Sequence, residues 1–247
     1  MAGLDWLTAR PVAHRGLHNA AAAVFENTAS AFAAALSGGY AIETDLQISA
    51  DGEAMVHHDE TLGRLTEGAG RLDTMTAAAL RQVPYKATTD RMQTLGELCE
   101  QVAGRATLVL ELKSHFDGDR RLVARVAEVL RTYSGPVAAM SFDPDQVEAL
   151  RALAPGLTRG IVAERKYDHP EWNALPAGLR RQMATLSHAP RTRPHFIAYG
   201  VRDLPAAPAL IARYLLGRPL LTWTVRTDAD RQRARWADQI IFEGFRP

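Results

Sequence analysis

Eight β-rich segments alternate with helical segments along the 247 residues, and this alternation predicts a single (β/α)₈ TIM barrel of the α/β class. Parallel strands need a crossover connection, which usually contains a helix. Eight strands in a chain of this length suit a closed barrel better than an open sheet. The predicted strands span residues 12–14, 42–47, 108–112, 137–141, 159–163, 196–201, 220–225 and 239–242.

Several of the intervening helices begin at recognisable capping residues. Asn27 precedes an amphipathic run, and Asp143 is followed by Pro144, which favours the first position of a helix. Thr94 and Thr227 are each followed three residues later by an acidic residue, the pattern of a capping box. These starts place a helix after four of the eight predicted strands.

Two departures from a regular barrel are predicted. The interval from Glu43 to Glu111 is 68 residues, against 29 from His14 to Glu43, so one small unit is expected after strand 2, at about residues 60–93. We expect this insertion to lie within a single catalytic domain, 1–247. The chain also ends soon after the eighth strand, so residues 4–9 are expected to cover the gap that a last outer helix would fill.

Composition and charge exclude several classes of protein. A net charge of +1 gives no field that would attract nucleic acid or an anionic membrane. No segment is long and apolar enough to span a membrane, and the start lacks a signal-peptide pattern, so we expect a cytoplasmic protein without a transmembrane segment. The single cysteine, Cys99, cannot form an internal disulfide. The sequence leaves the oligomeric state open, including a homo-oligomer.

The segment Ile-Glu-Thr-Asp-Leu-Gln in strand 2 carries two carboxylates. Residues two apart in a strand share a face, so Glu43 and Asp45 project together. Two close carboxylates repel unless a positive charge lies between them. The pair therefore indicates a hard divalent cation, Mg²⁺ or Ca²⁺, and the alternative is a solvated strand edge.

A hairpin signal follows strand 2. Asp51-Gly52 lies between two β-rich runs and predicts a type I′ turn. With a two-residue turn, Asp45 would pair with His58 on the same face, and His57 would point to the other side. A slip of one residue would reverse this choice. The hypothesis is that His58, not His57, lies at the carboxylate pair.

The segment His14-Arg15-Gly16 lies at the predicted end of strand 1. Active sites of such barrels gather at the carboxyl ends of the strands. His14 supplies a group that can transfer a proton, and Arg15 supplies a bidentate donor for phosphate oxygens. Nearby, Glu26 is equally explained as a carboxylate at a helix start.

Strand 3 and strand 7 add further polar and aromatic candidates. Glu111 lies in an apolar run, where a carboxylate is costly unless it is paired or bound to a metal. Lys113 shares its face, so the two form either part of a cation and phosphate site or a buried ion pair. Trp223 either fills the core or floors the pocket. Three other polar residues lie near the ends of other strands, but their spacing identifies none of them as a site residue: Glu164, Tyr199 and Glu243.

These motifs, in this order, resemble those of the glycerophosphodiester phosphodiesterase family, whose members are TIM barrels with a small insertion after strand 2. The resemblance covers nearly the whole chain, from residue 12 to about 225. The motifs are His14-Arg-Gly, Glu26-Asn-Thr, Glu43-Thr-Asp45-Leu-Gln, Asp51-Gly, His58-Asp-Glu-Thr-Leu, Glu111-Leu-Lys113, Ser141-Phe-Asp and Trp223-Thr-Val.

The resemblance implies an activity and a division of roles. It implies hydrolysis of a small glycerophosphodiester to sn-glycerol 3-phosphate and an alcohol, as part of glycerol and lipid metabolism. The carboxylates of Glu43, Asp45 and Glu111 would hold Mg²⁺ or Ca²⁺. His14 and His58 would be the general acid and base, with the glycerol 2-hydroxyl attacking phosphorus to give a cyclic phosphate that water opens.

Substrate binding is the less specific part of the resemblance. Arg15, Lys113 and Trp223 would bind the substrate and its phosphate. The carboxyl-terminal residues 242–247 depart from the family pattern, which affects the pocket wall on that side. Two alternatives remain: a lysophospholipase D with the same chemistry, and a catalytically idle barrel that binds phosphorylated ligands.

Overall fold

The computed structural model describes residues 3–247 and contains a closed barrel of eight parallel strands. The barrel closes where the first strand pairs with both the second and the last. This arrangement confirms the predicted (β/α)₈ TIM barrel. The strands are β1 Val12–Ala13, β2 Ala41–Ile48, β3 Ala54–Val56, β4 Leu108–Leu112, β5 Val137–Ser141, β6 Thr158–Ala163, β7 Phe196–Gly200, β8 Leu220–Val225 and β9 Gln239–Phe242.

Strand β3 lies outside the barrel and pairs antiparallel with β2. Helices and short 3₁₀ turns fill the connections between the barrel strands. The α-helices are α1 Asp5–Thr8, α2 Ala29–Ser37, α3 Ala77–Gln82, α4 Leu95–Val102, α5 Arg121–Leu130, α6 Pro144–Leu153, α7 Ala177–Thr185, α8 Ala189–Thr192, α9 Ala207–Leu210 and α10 Asp228–Ala234; a π-helical turn, Ile211–Leu215, extends α9. Among the helices of the described residues, none is long and apolar enough to cross a membrane.

Capping residues start most of the predicted helices where expected, with one exception. Asp143 caps α6, and Thr94 and Thr227 form capping boxes at the starts of α4 and α10. The prediction that Asn27 caps α2 was wrong, because Thr28 accepts the hydrogen bond from the backbone N–H of Ala31 instead. The side chain of Asn27 is therefore free for another role.

The barrel interior at the amino ends of the strands is packed with apolar side chains. Phe196 is fully buried there, and Gly160 on β6 leaves room for its ring, since a Cβ at residue 160 would lie 2.3 Å from it. Leu7 of α1 belongs to the same cluster. This packed layer fills the barrel interior at its amino end, so a ligand enters the interior from the carboxyl end.

The position of Leu7 corrects the prediction for residues 4–9. This segment closes the amino end of the barrel and does not cover the outer surface next to β9. That surface is covered instead by Phe245, whose ring lies 5.4 Å from the ring of Phe242. Phe242 in turn packs edge-on against Tyr40 at 5.0 Å.

The insertion after β2 comprises β3, α3 and the loops between His57 and Thr94. It lies in the long interval between Glu43 and Glu111, for which one additional small unit was predicted. It has a small apolar core of its own. The buried members of this core are Met55, Leu62, Leu72, Leu80, Tyr85 and Met92.

The predicted register of the β2–β3 hairpin was wrong by one residue. Ile48 pairs with Ala54, and Gly52 adopts a φ of +84°, so the turn has three residues in place of two. The backbone N–H of His57, not of His58, donates to the carbonyl of Asp45 at 3.1 Å. The side chain that reaches the barrel mouth is nevertheless that of His58, because the chain leaves the ribbon at this point.

Candidate active site

A cavity of about 950 Å³ opens at the carboxyl ends of the strands. Its size is within the range of small-molecule sites. Six of the eight predicted site residues line it, and Glu43 and Asp45 are buried beneath them, each 1% exposed. The six are His14, Arg15, His58, Glu111, Lys113 and Trp223.

Three carboxylates meet at the base of this cavity. Glu43, Asp45 and Glu111 each offer an oxygen, and these oxygens lie within 4.8 Å of one another. The cause is strand geometry: Glu43 and Asp45 share a face of β2, and Asp45 pairs with Glu111 on β4. Burial, together with repulsion from the other two carboxylates, raises the pKa of Glu43 well above its usual value. Hard oxygen ligands held this closely fit a divalent cation.

Two cationic side chains lie against the carboxylates. The Nζ atom of Lys113 is 2.8 Å from Asp45 and 2.6 Å from Glu111. The Nε atom of Arg15 is 3.3 Å from Asp45, and its Nη1 atom is 2.8 Å from Glu26. Although burial opposes the effect, the nearby positive charges hold the pKa of Asp45 far below its usual range. The ion pair predicted for Glu111 and Lys113 is therefore present, and it lies beside the three carboxylates that could hold a cation.

His14 is held by a residue from the other end of the chain. Its Nδ1 lies 2.8 Å from Glu243, and its Nε2 lies 3.9 Å from Glu43. Hydrogen bonding to His14 and Arg226 outweighs burial and keeps the pKa of Glu243 low, so its carboxylate is ionised and can only accept. The Nδ1 of His14 therefore carries a proton, and Nε2 faces the carboxylates. Burial lowers the pKa of His14 despite the bond to Glu243.

His58 has a similar arrangement on the insertion side. Its Nδ1 lies 2.8 Å from Asp59, and Arg64 holds that carboxylate at 2.6 Å. His58 lines the cavity beneath which Asp45 is buried. His57, by contrast, is 2% exposed and does not line the cavity, and burial lowers its pKa to about 4.

Several residues at the site were not predicted from the sequence. Asn27, expected to be a helix cap, donates from Nδ2 to Asp45 at 2.9 Å and accepts from Thr44 at 2.6 Å. Glu243 follows β9 but lies 229 residues from its partner His14, so no local spacing identified it. One feature of the sequence could have identified Asn27 as a site residue: it directly follows Glu26, whose carboxylate binds Arg15 at 2.8 Å.

An aromatic surface forms the opposite side of the cavity. Trp223 lines it, and its Nε1 donates to the carbonyl of Ala198 at 3.1 Å, which leaves only the ring to contact a ligand. Glu164 also lines it and accepts from Nε1 of Trp172 at 2.7 Å. Tyr199 is buried in the outer core and is not part of the cavity.

The sequence is similar to those of known phosphodiesterases. Residues 14–245 match the model of the glycerophosphoryl diester phosphodiesterase family. A glycerophosphodiester phosphodiesterase from Caldanaerobacter subterraneus is 30% identical over 176 residues, covering 66% of this chain and 70% of that protein. Bovine glycerophosphodiester phosphodiesterase 1 is 27% identical over 179 residues, which is 68% of this chain and 51% of the bovine protein.

Solved structures share the same architecture. A Silicibacter pomeroyi protein assigned as a glycerophosphoryl diester phosphodiesterase superposes with a TM-score of 0.78 at 26% identity, covering 94% of this chain and 89% of that one. An Oleispira antarctica phosphodiesterase, solved with sn-glycerol-3-phosphate, gives a TM-score of 0.76 at 21% identity, covering 96% and 94%. The chain therefore belongs to the glycerophosphoryl diester phosphodiesterase family and is a phosphoric diester hydrolase.

Proposed function

We propose that this chain hydrolyses glycerophosphodiesters to sn-glycerol 3-phosphate and an alcohol, with His14 and His58 as the proton-transfer pair. One observation carries the proposal: two histidines, each fixed through Nδ1 by a carboxylate, lie at one cavity beside three further carboxylates. The phosphodiesterase from Oleispira antarctica that binds sn-glycerol-3-phosphate has the same fold, which supports the choice of product.

The phosphate group would lie over the carboxylate cluster. Arg15 and Lys113 supply positive charge there, and Arg15 offers a planar fork suited to phosphate oxygens. Glu43, Asp45 and Glu111 would hold Mg²⁺ or Ca²⁺, which when bound neutralises charge on the phosphoryl oxygens. These cationic groups favour the transition state, in which negative charge builds on the equatorial oxygens.

The two histidines would divide the proton transfers. Burial keeps His14 neutral near pH 7, so its Nε2 is able to take the proton from the glycerol 2-hydroxyl as that oxygen attacks phosphorus. His58 donates a proton to the departing alcohol oxygen as its bond to phosphorus breaks. Water then opens the resulting cyclic phosphate with the two roles reversed, so each histidine returns to its starting state.

The decisive test compares the two adjacent histidines. We expect His58→Ala to lower kcat by about 10²–10⁴-fold, because general acid catalysis contributes on this order. His57→Ala should keep most of the activity, since His57 does not reach the cavity. The measurement is release of glycerol 3-phosphate from glycerophosphocholine and glycerophosphoethanolamine, with Mg²⁺, Ca²⁺ or EDTA.

The same assay separates the alternatives. Wild-type activity in His58→Ala would refute the assignment of the proton-transfer pair. Full activity after prolonged EDTA treatment would refute the proposed requirement for a divalent cation. Faster turnover of lysophosphatidylcholine than of glycerophosphocholine would favour the lysophospholipase D alternative. Absence of turnover with tight phosphate binding would favour an idle binding barrel. The cytoplasmic location stays a prediction.

A further inference from the structure

The cavity has two chemically different sides. The phosphate side contains Arg15, Lys113 and the two histidines. The opposite side, here named the aromatic wall, is lined by Phe116, Phe142, Trp172, Trp223, Glu164 and Glu171. A substrate held by its phosphate on the first side therefore extends one of its ends along the second.

The aromatic rings of the wall hold one another in place. Phe142 lies 5.1 Å from Trp172 and 5.4 Å from Trp223, measured between ring centroids. Phe116 packs edge-on against Trp172 at 6.1 Å, and Tyr167 supports the same ring from 5.2 Å. The four rings other than Tyr167 line the cavity, and because they hold one another in place they present a preformed apolar surface.

The wall also carries negative charge. Glu164 is partly buried and bonded to the indole of Trp172, and Glu171 is exposed at the rim. Burial raises the pKa of Glu164 to about 7, and a cation bound beside it would favour the ionised carboxylate. Within residues 3–247, the basic residues that line the cavity outside the phosphate side are Arg71, His115, His169 and Arg226. Arg71 lies 3.0 Å from His115, which lies 3.6 Å from Glu60, and Arg226 is held by Glu243 at 2.8 Å.

We infer that the aromatic wall binds the alcohol part of the substrate and is built for a quaternary ammonium head group, as in glycerophosphocholine. The ring faces of Trp and Phe attract a cation that cannot donate hydrogen bonds. Glu164 and Glu171 add charge complementarity. The inference rests on the proposed function, because the alcohol is placed relative to the phosphate.

Other alcohols fit the wall less well. A polyol such as glycerol or inositol needs many hydrogen-bond partners, and most of the wall consists of ring carbons. The indole N–H groups of Trp172 and Trp223 are already engaged by Glu164 and by Ala198. An acyl chain would fit the ring carbons but would bring no positive charge to match Glu164 and Glu171.

The test is a ratio of specificity constants. We expect wild-type kcat/KM for glycerophosphocholine to exceed that for glycerophosphoglycerol by at least about 10-fold. Trp172→Leu and Glu164→Gln should each reduce this ratio by about 3- to 30-fold, mainly by raising KM for glycerophosphocholine, in line with the strength of a cation–π contact. Trp236→Leu, a tryptophan outside the cavity, should leave the ratio unchanged.

The outcomes distinguish the two proposals. Failure to hydrolyse either diester would overturn the proposed function. Hydrolysis of both diesters at similar kcat/KM, or an unchanged ratio in the two wall variants, would overturn the inference while the proposed function stands. Glu164→Gln removes a charge without changing side-chain size, so it tests the inference even if Trp172→Leu folds poorly. Competitive inhibition by tetramethylammonium, weakened in Glu164→Gln, would support the same site without turnover.

Discussion

The carboxylate of Glu243 determines which nitrogen of His14 faces the substrate. Because Glu243 occupies Nδ1 at 2.8 Å, the imidazole presents Nε2 toward Glu43 and the cavity. When Nε2 takes a proton, the negative charge of Glu243 stabilises the imidazolium that results. In the proposed mechanism, Glu243 is therefore a positioning residue that acts on the reaction through His14.

We expect Glu243→Gln to lower kcat by about 10–100-fold with little change in KM, the usual cost of altering a residue that supports a functional histidine. An amide keeps the size of the side chain but removes the charge that stabilises protonated His14. Steady-state kinetics on glycerophosphocholine measure both constants.

The matched control for this prediction is Arg226→Gln. It removes the second partner of Glu243 and leaves the bond to His14 in place, so kcat should stay within about 2-fold of wild type. A kcat for Glu243→Gln as high as that of the control would show that His14 does not depend on Glu243.

At the scale of elements, the insertion carries His58, and one of its arginines, Arg64, links the partner of His58 to the barrel side of the site. Arg64 lies 2.6 Å from Asp59, the partner of His58, and 2.6 Å from Glu26. Glu26 also binds Arg15 at 2.8 Å. A chain of ion pairs thus connects the two sides of the phosphate region, from Arg15 on the barrel to His58 on the insertion.

We expect Arg64→Gln to reduce kcat/KM by about 10-fold, since misplacement of a catalytic group by about 1 Å is costly. Arg81→Gln is the matched control: Arg81 also joins the insertion to a glutamate outside it, Glu97 on α4, but it does not line the cavity. Equal kcat/KM in the two variants, measured on the same diester, would show that the link through Arg64 does not position His58.

Local patterns predicted the parts of the site that depend on a single strand. The alternation of side chains along β2 put Glu43 and Asp45 on one face, and the position of Glu111 in an apolar run marked it as unusual. The hairpin register failed because Asp-Gly is compatible with turns of two and of three residues, and the sequence does not distinguish them. His58 reaches the cavity through a bend after β3 that no pattern specified.

Contacts that depend on barrel closure could not be predicted from spacing. Glu243 meets His14 only because β9 pairs with β1, and Leu7 enters the barrel interior only because that interior has room for it. The motifs locate the site at one end of the barrel, and the residues that orient the histidines come from distant parts of the chain.

At the scale of the whole molecule, the barrel brings like charges together. Folding places three carboxylates within 4.8 Å, and Lys113 and Arg15 offset part of their repulsion. The raised pKa of Glu43 reflects the remaining repulsion and its burial. A ligand that binds this cluster in the folded state alone must stabilise the fold, whether or not the protein turns over substrate.

We therefore expect Mg²⁺ or Ca²⁺, at about 100 times its Kd, to raise Tm by about 5–10 °C over the protein in EDTA. Glu43→Gln should remove most of this increase. Its Tm in EDTA should stay close to that of wild type, because the amide removes the repulsion from Asp45 and Glu111 and its oxygen still accepts from the backbone N–H of Arg15. Glu128 is an exposed glutamate on α5, and the variant Glu128→Gln should keep the full increase.

Differential scanning calorimetry of wild type and the two variants measures these shifts in Tm. An equal rise in all of them would mean that the cation binds elsewhere, and no rise in wild type would mean that Lys113 and Arg15 alone balance the cluster.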